Sequence, residues 1–273
     1  MRHKLEAVII RTLVTAAVML TAGTLLFIVT YILVKGVPSL SLDLFSLKYN
    51  SENVSLTPAL VNTITMTALS LIIAVPLGIG AAIYLSEYAT RGNKLVSLVR
   101  VMAETLSGIP SIVYGLFGFL LFVTALGFGY SLLAGALTLS IMILPLIMRT
   151  AEEALKSVPD TYREGSFGLG AGKLRTVVRI VLPAAVPGIL SGVVLSIGRI
   201  VGETAALIYT AGTVAQIPTN LLGSGRTLSV HMYALWNEGI NTDKSYATAV
   251  VLLIIVIGLN AISAYTAKKL SKV

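Results

Sequence analysis

Cysteine is missing from all 273 residues, which excludes disulfides, thiol catalysis and cysteine-ligated metal. Histidine is nearly missing. His3 is terminal and His231 stands alone, so neither has a partner at metal-ligand spacing. Charge is also scarce: Asp, Glu, Lys and Arg make up 12% of the chain, about half the roughly 25% of a soluble globular domain. No acidic cluster and no nucleophile beside a base is arranged to argue a reaction. A phosphate-binding loop is lacking as well. GLGAGK (Gly168–Lys173) ends in the right pair, but the motif needs glycine where Phe167 stands and Ser or Thr where Leu174 stands.

Apolar residues are what the chain has in excess, at 56% hydrophobic with a mean hydropathy of +0.90. A bilayer-crossing helix needs ~20 mostly apolar residues. Six segments qualify, at approximately 11–34, 59–86, 95–125, 130–149, 184–209 and 246–267. Backbone polar groups in lipid must be paired internally, so the fold class expected is all-α, a polytopic membrane helical bundle. The third segment is too long for one straight span. Gly108 and Pro110 predict a first piece to about Leu106 and a second helix from Pro110 to about Leu126. In the second segment, Pro76 between small residues in AVPLGIG (Ala74–Gly80) invites a packing bend.

The net charge of +8 is explained by topology. With the N-terminus in the cytoplasm, fifteen cations fall inside, Arg91 and Lys272 among them. Only Lys35, Lys48, Arg226 and Lys244 fall outside, and Arg199 lies within a helix. The positive-inside rule places both termini in the cytoplasm and leaves no case for nucleic acid. Residues 1–58 are read as the N-terminal cytoplasmic end, first helix and external loop, and 59–273 as a membrane core. The external stretch 210–245 carries the only tryptophan, Trp236, beside Tyr233. The pair suits an interfacial belt or the reception of an external partner.

Residues 150–183 form a charged, glycine-punctuated segment between two apolar helices. Pro159 suits a first helical turn, with Asp160 and Glu164 near its positive end. The glycines at 168, 170 and 172 then turn the chain, and Lys173 to Leu182 resumes as a helix before Pro183. Two short angled helices of this kind would project into the cytoplasm as a plug for another protein's groove. Glu164, with Gly170 six residues on, then nine residues, then Ile180-Val181-Leu182-Pro183, has the spacing of the EAA loop of ABC-importer permeases, and the segment resembles it.

Two cations stand out in the spans. Arg199 lies ~24 Å along the fifth helix from Pro183, where an arginine costs roughly 2.5–3.5 kcal/mol. Glu203, four residues on, would share its face. The two form either a self-compensating pair or part of an anion pathway, since a guanidinium offers a planar fork of donors to phosphate or carboxylate oxygens. Arg149, at the inner end of the fourth helix, is either a boundary residue or the inner station of such a path. Glu104 receives no assignment.

With AAIYLSEYA (Ala81–Ala89), SGIPSIVYGLFGF (Ser107–Phe119), LPLIMRTAEEALKSVPDTYREGS (Leu144–Ser166), GRIVGETAALIYTAG (Gly198–Gly212) and HMYALWNEG (His231–Gly239), the chain resembles the PstA-type permease subunits of phosphate-specific ABC importers, within the type I importer permease superfamily. The likeness runs from about Val61 to the end.

The resemblance implies a multi-pass subunit of a bacterial or archaeal cytoplasmic (inner) membrane. Its partners would be a second related permease subunit, two ATP-binding subunits and an external phosphate-binding protein, with inorganic phosphate as substrate. This chain would not itself be an enzyme and would bind no cofactor; ATP and Mg would be used by the partner ATPase. Arg149, Arg199 and Glu203 would line the transport path, and Glu164, Gly165, Ser166 and Gly170 would dock the ATPase. One departure matters. The motif's two alanines are Gly165 and Ser166 here, and glycine weakens a helix by up to ~1 kcal/mol. A permease for sulfate or molybdate, or less readily a non-transporting membrane scaffold, would fit the same charges.

Overall fold

A computed structural model describes residues 2–90 and 92–270 of the chain; Arg91 and Lys272 lie outside them. Among the described residues every regular element is helical. Five helices among the described residues are long and apolar enough to cross a membrane, and a bent pair counts as a sixth if it is one broken span. Helix α1 (Arg2–Gly36) is apolar on all sides from Val8 to Val34, apart from Arg11, and is exposed over most of that stretch, with α11 (Thr242–Leu270) as its main neighbour. That is the surface of a lipid-solvated helix.

Helices α2 (Thr57–Ile83) and α5 (Leu132–Lys156) form the centre and pack on each other more extensively than any other pair. Two serines tie them inside the apolar core, Ser70 Oγ donating to the Ala136 carbonyl and Ser140 Oγ to the Ser70 carbonyl, each at 3.2 Å. α2 runs unbroken through Pro76 and ends in a π turn, Tyr84–Tyr88. The small residue that matters nearby is Gly78, where a Cβ would lie 2.8 Å from Ile147 Cγ2.

The expected break in the third segment is present. α3 (Lys94–Ser107) and α4 (Ser111–Gly118, continued by a π segment Phe119–Ala125) meet at 103°. Pro110 caps α4 and disfavours helical geometry at the residue before it.

Two expected boundaries move. Pro183 interrupts nothing: α7 (Lys173–Thr176), a π turn (Val177–Val181) and α8 (Leu182–Gly202) are one 30-residue apolar helix. Proline lacks the N–H that position 183 of a continuous helix would donate, and the π turn just before it accommodates the missing bond. The fifth span stops earlier than expected, because Glu203 is extended (φ −71°, ψ 130°) and a separate α9 (Ala205–Thr210) follows. After α9 come α10 (Leu228–Glu238) and α11.

α5 and α8 approach closely at Gly192, where a Cβ would sit 2.6 Å from Thr150 Cβ. Gly192→Val is therefore expected to cost about 1–3 kcal/mol of overpacking and to lower the thermal unfolding midpoint. Gly198 on the same helix has nothing within 4 Å of an added Cβ. Gly198→Ala should leave the midpoint unchanged or raise it.

Candidate functional site

The end of α8 carries the main feature of the spans. Arg199 is half-buried one turn before the break and makes no hydrogen bond or ion pair among the described residues. It lies within electrostatic reach of Tyr114 on α4, whose hydroxyl donates to the Leu106 carbonyl at 2.8 Å. Glu203 does not pair with it. Because the backbone turns extended at Glu203, that carboxylate leaves the face of α8 and caps α9, accepting the Ala206 N–H at 3.0 Å. It is buried, and Ser229 Oγ donates to its carbonyl. The self-compensating pair, one of the two readings the four-residue spacing allows, is thus replaced by a helix cap, and Arg199 has no compensating carboxylate among the described residues.

Arg149 lies on α5, which continues two turns further than expected. Its side chain is half exposed, with Glu104 and Glu153 each at 3.8 Å. Contacts that long and that wet hold little energy. Glu104 of α3, unassigned from sequence, thus faces Arg149 across a small cavity of about 200 Å³. The Gly192–Thr150 contact fixes the relative height of the antiparallel α5 and α8. From it, Arg199 stands roughly 10 Å, or two turns, beyond Arg149.

The 150–183 segment turns at Pro159 into α6 (Asp160–Gly168). Arg163 of α6 is anchored from several sides. It meets Glu87, in the π turn of α2, at 2.7 Å, and donates to the Val158 and Leu155 carbonyls at the end of α5 at 2.7 and 2.9 Å. It also reaches Asp160 at 3.2 Å. The Glu87 hydrogen bond pushes its pKa above the usual arginine value.

Sequence reasoning saw Arg163 only as one of many inside cations; its partner is 76 positions away. The four expected docking residues divide. Glu164 and Gly165 are exposed on α6, and Gly165 has open space around it. Gly170 is exposed with φ +81°, a left-handed turn that favours glycine. Ser166 points inward, only 5% exposed, its hydroxyl 2.8 Å from Thr176 Oγ1. It braces α6 against α7. The side chains that do project are Tyr162, Phe167 and Leu169, the last 91% exposed.

On the opposite face, Arg226 is buried with its guanidinium 4.9 Å from the Tyr49 ring centre. His231 meets the same ring in an edge contact, the two ring planes perpendicular, and is fully enclosed. Burial first, and the Arg226 charge second, lower its pKa from 6.5 to about 3. Above pH 6.5 both folded and unfolded chains hold His231 neutral. As pH falls toward 3 only the unfolded chain gains a proton, so local stability is lost at up to about 1.4 kcal/mol per pH unit. Amide exchange in α10, corrected for its intrinsic rate, is expected to speed up from pH 7 to pH 5, and His231→Gln should abolish that difference. Trp236 sits edge-on to Tyr246, which meets Tyr31 of α1 in the same way. Trp236 is half exposed, as a belt residue would be.

The binding-protein-dependent transport system inner membrane component family matches residues 74–272. The probable ABC transporter permease protein YqgI of Bacillus subtilis (strain 168) is 34% identical over 237 residues, covering 81% of this chain and 80% of that protein. The phosphate transport system permease protein PstA 1 of Mycobacterium tuberculosis (strain CDC 1551 / Oshkosh) is 39% identical over 209 residues, 76% of this chain and 68% of that one. PstA of Pasteurella multocida (strain Pm70) is 34% identical over 261 residues, 92% of each.

Among solved structures, a bacterial alginate ABC transporter in complex with a pentasaccharide-bound periplasmic protein aligns with TM-score 0.68 at 16% identity over 94% of both chains. The inward-facing MetNI methionine transporter aligns with TM-score 0.61 at 21% identity, covering 78% of this chain and 93% of that one. An all-helical multi-pass bundle with a projecting α6, matched over most of its length, assigns the chain to its family: it belongs to the binding-protein-dependent transport system inner membrane components, the permease subunits of ABC importers.

Proposed function

We propose that this permease passes inorganic phosphate into the cytoplasm in an ATP-driven importer. The carrying observation is Arg199, a guanidinium with no carboxylate partner among the described residues, on the otherwise apolar α8. A charge left unpaired at that depth marks a substrate route, and its donor fork suits a tetrahedral oxyanion. The substrate reading is supported by the relatives named as phosphate transport permeases. Arg149, two turns inward, is a second station, its two distant carboxylates easily exchanged for an anion. Glu203 shapes the break that presents Arg199. The charge asymmetry supports a cytoplasmic position for both termini and α6. There Glu164, Gly170 and the exposed Leu169 meet an ATP-binding subunit.

The chain itself catalyses nothing in this reading; two ATP-binding partners use ATP and Mg. A second permease completes the path and an external binding protein delivers phosphate. The test is ATP-driven uptake of labelled phosphate by the reconstituted complex, challenged with excess sulfate or molybdate. Flux that resists both supports phosphate. Flux of sulfate or molybdate instead makes this a sister importer, and no ATP-dependent flux of any oxyanion makes it a scaffold.

A further inference from the structure

The end of α2, the start of α3, the end of α5, α6 and the start of α7 border a half-open cavity of about 1150 Å³. Lys94, Arg100, Lys156, Arg163 and Lys173 line it, against Glu87 and Asp160. Arg163 takes both of those acids, at 2.7 and 3.2 Å. Arg100 and Lys156 share one further carboxylate, Glu152, at 2.8 and 2.7 Å. Five cations therefore face three carboxylates, and the unmatched pair is Lys94 and Lys173. Both lysines are exposed, with no ion pair among the described residues; Lys173 Nζ sits 5.0 Å from the centre of the Tyr88 ring.

A second, apolar groove of about 170 Å³ adjoins this cavity, sharing Leu85, Asn93 and Val96 and adding Tyr84, Leu95 and Val99. Leu95 is 71% exposed. It begins a stripe of exposed apolar residues on α3, Leu95, Leu98, Val99, Met102 and Leu106, at the spacing of one helical face. α3 lies at 103° to α4, and α2 ends its apolar run at Tyr88 beside the cavity. A basic chamber opening onto an apolar groove, at the level where a span ends, matches a molecule with an anionic head and a hydrocarbon tail. A soluble phosphate would leave the groove and stripe uncovered, and a neutral lipid would leave two lysines without an anion.

We propose that the chamber and groove hold an anionic phospholipid of the cytoplasmic leaflet, its phosphate at Lys94 and Lys173 and an acyl chain along Leu95 and Val99. The proposal rests on the orientation argued above, with α6 in the cytoplasm. It makes α6, α2 and α3 three walls of one lipid site.

The test titrates short-chain phosphatidylglycerol into the complete complex in neutral detergent and reads bound lipid by native mass spectrometry. One saturable phosphatidylglycerol per copy of this chain is expected. The Lys94→Gln, Lys173→Gln double variant should bind about 25-fold more weakly, at about fivefold per cation. Leu95→Asn should also weaken binding, and excess inorganic phosphate should not displace the lipid.

Unchanged affinity in the double variant would overturn the proposal. So would equal binding of chain-free glycerol phosphate, displacement by inorganic phosphate, or binding only after the ATP-binding subunits are removed. Lipid binding is read without transport, and uptake assayed on the same samples separates the two ideas. A complex that carries sulfate yet holds phosphatidylglycerol sinks the substrate reading and leaves the lipid site standing.

Discussion

Replacing Arg199 by glutamine is expected to cut phosphate uptake by the assembled importer ~10- to 100-fold while leaving its thermal stability unchanged or slightly higher. The two halves of that expectation have one cause. Arg199 has no carboxylate among the described residues, since Glu203 is committed to the Ala206 N–H. Removing the guanidinium orphans nothing and relieves part of the cost of holding a charge in a span. A hydrogen bond to a charged group contributes about 1.5–3 kcal/mol, and each 1.4 kcal/mol lost at the barrier is about tenfold in rate. Arg199→Lys keeps the charge and loses the fork, so its uptake should fall between native and glutamine. Arg149→Gln should cost less, because that side chain is half exposed and loosely held by two carboxylates. Initial rates of labelled uptake, read beside an unfolding midpoint, decide the matter. Full flux in Arg199→Gln would take Arg199 off the path, and lost stability with lost flux would make it a structural residue.

Much of this architecture is written locally. The Ser107–Pro110 break follows from a glycine and a proline two apart, features that act on their own backbone. The turn at Gly170 follows from a residue that tolerates φ +81°. What misled was chemistry whose outcome depends on neighbours. Pro183 predicts a helix boundary, yet the preceding π turn absorbs it and the helix runs on to Gly202. Arg199 and Glu203 have the spacing of a helical ion pair, but the helix ends between them, where Glu203 finds a better use as the cap of α9. Nothing in four residues of sequence announces that α9 will begin there. Arg163 and Glu87 lie 76 positions apart, and Lys94 and Lys173 are brought to one chamber by packing alone. Sites assembled from distant segments leave no spacing to read.

The second large effect is expected at the anchor of α6, and it separates holding the ATPase from being moved by it. Arg163 and Glu87 are 15% and 7% exposed and meet at 2.7 Å. Removing one partner of so enclosed a pair costs about 3 kcal/mol, largely from the ion left behind. Glu87→Gln should therefore loosen α6 from the end of α2 while Glu164, Leu169 and Gly170 keep their places. The ATP-binding subunits should still co-purify and hydrolyse ATP, but phosphate carried per ATP should fall severalfold. Gly170→Val should behave oppositely. A β-branched residue forced left-handed costs about 1–2 kcal/mol and displaces the adjoining Leu169, so the ATPase should be lost and hydrolysis with it. Exchanging the pair, Glu87→Arg with Arg163→Glu, should restore coupling only in part, because the Val158 and Leu155 carbonyls that now accept from Arg163 would face a carboxylate. If Glu87→Gln transports with native stoichiometry, the ion pair is a packing detail and force reaches the spans by another route. The remaining continuous connection is the helix that runs from Lys173 through the π turn to Arg199 itself.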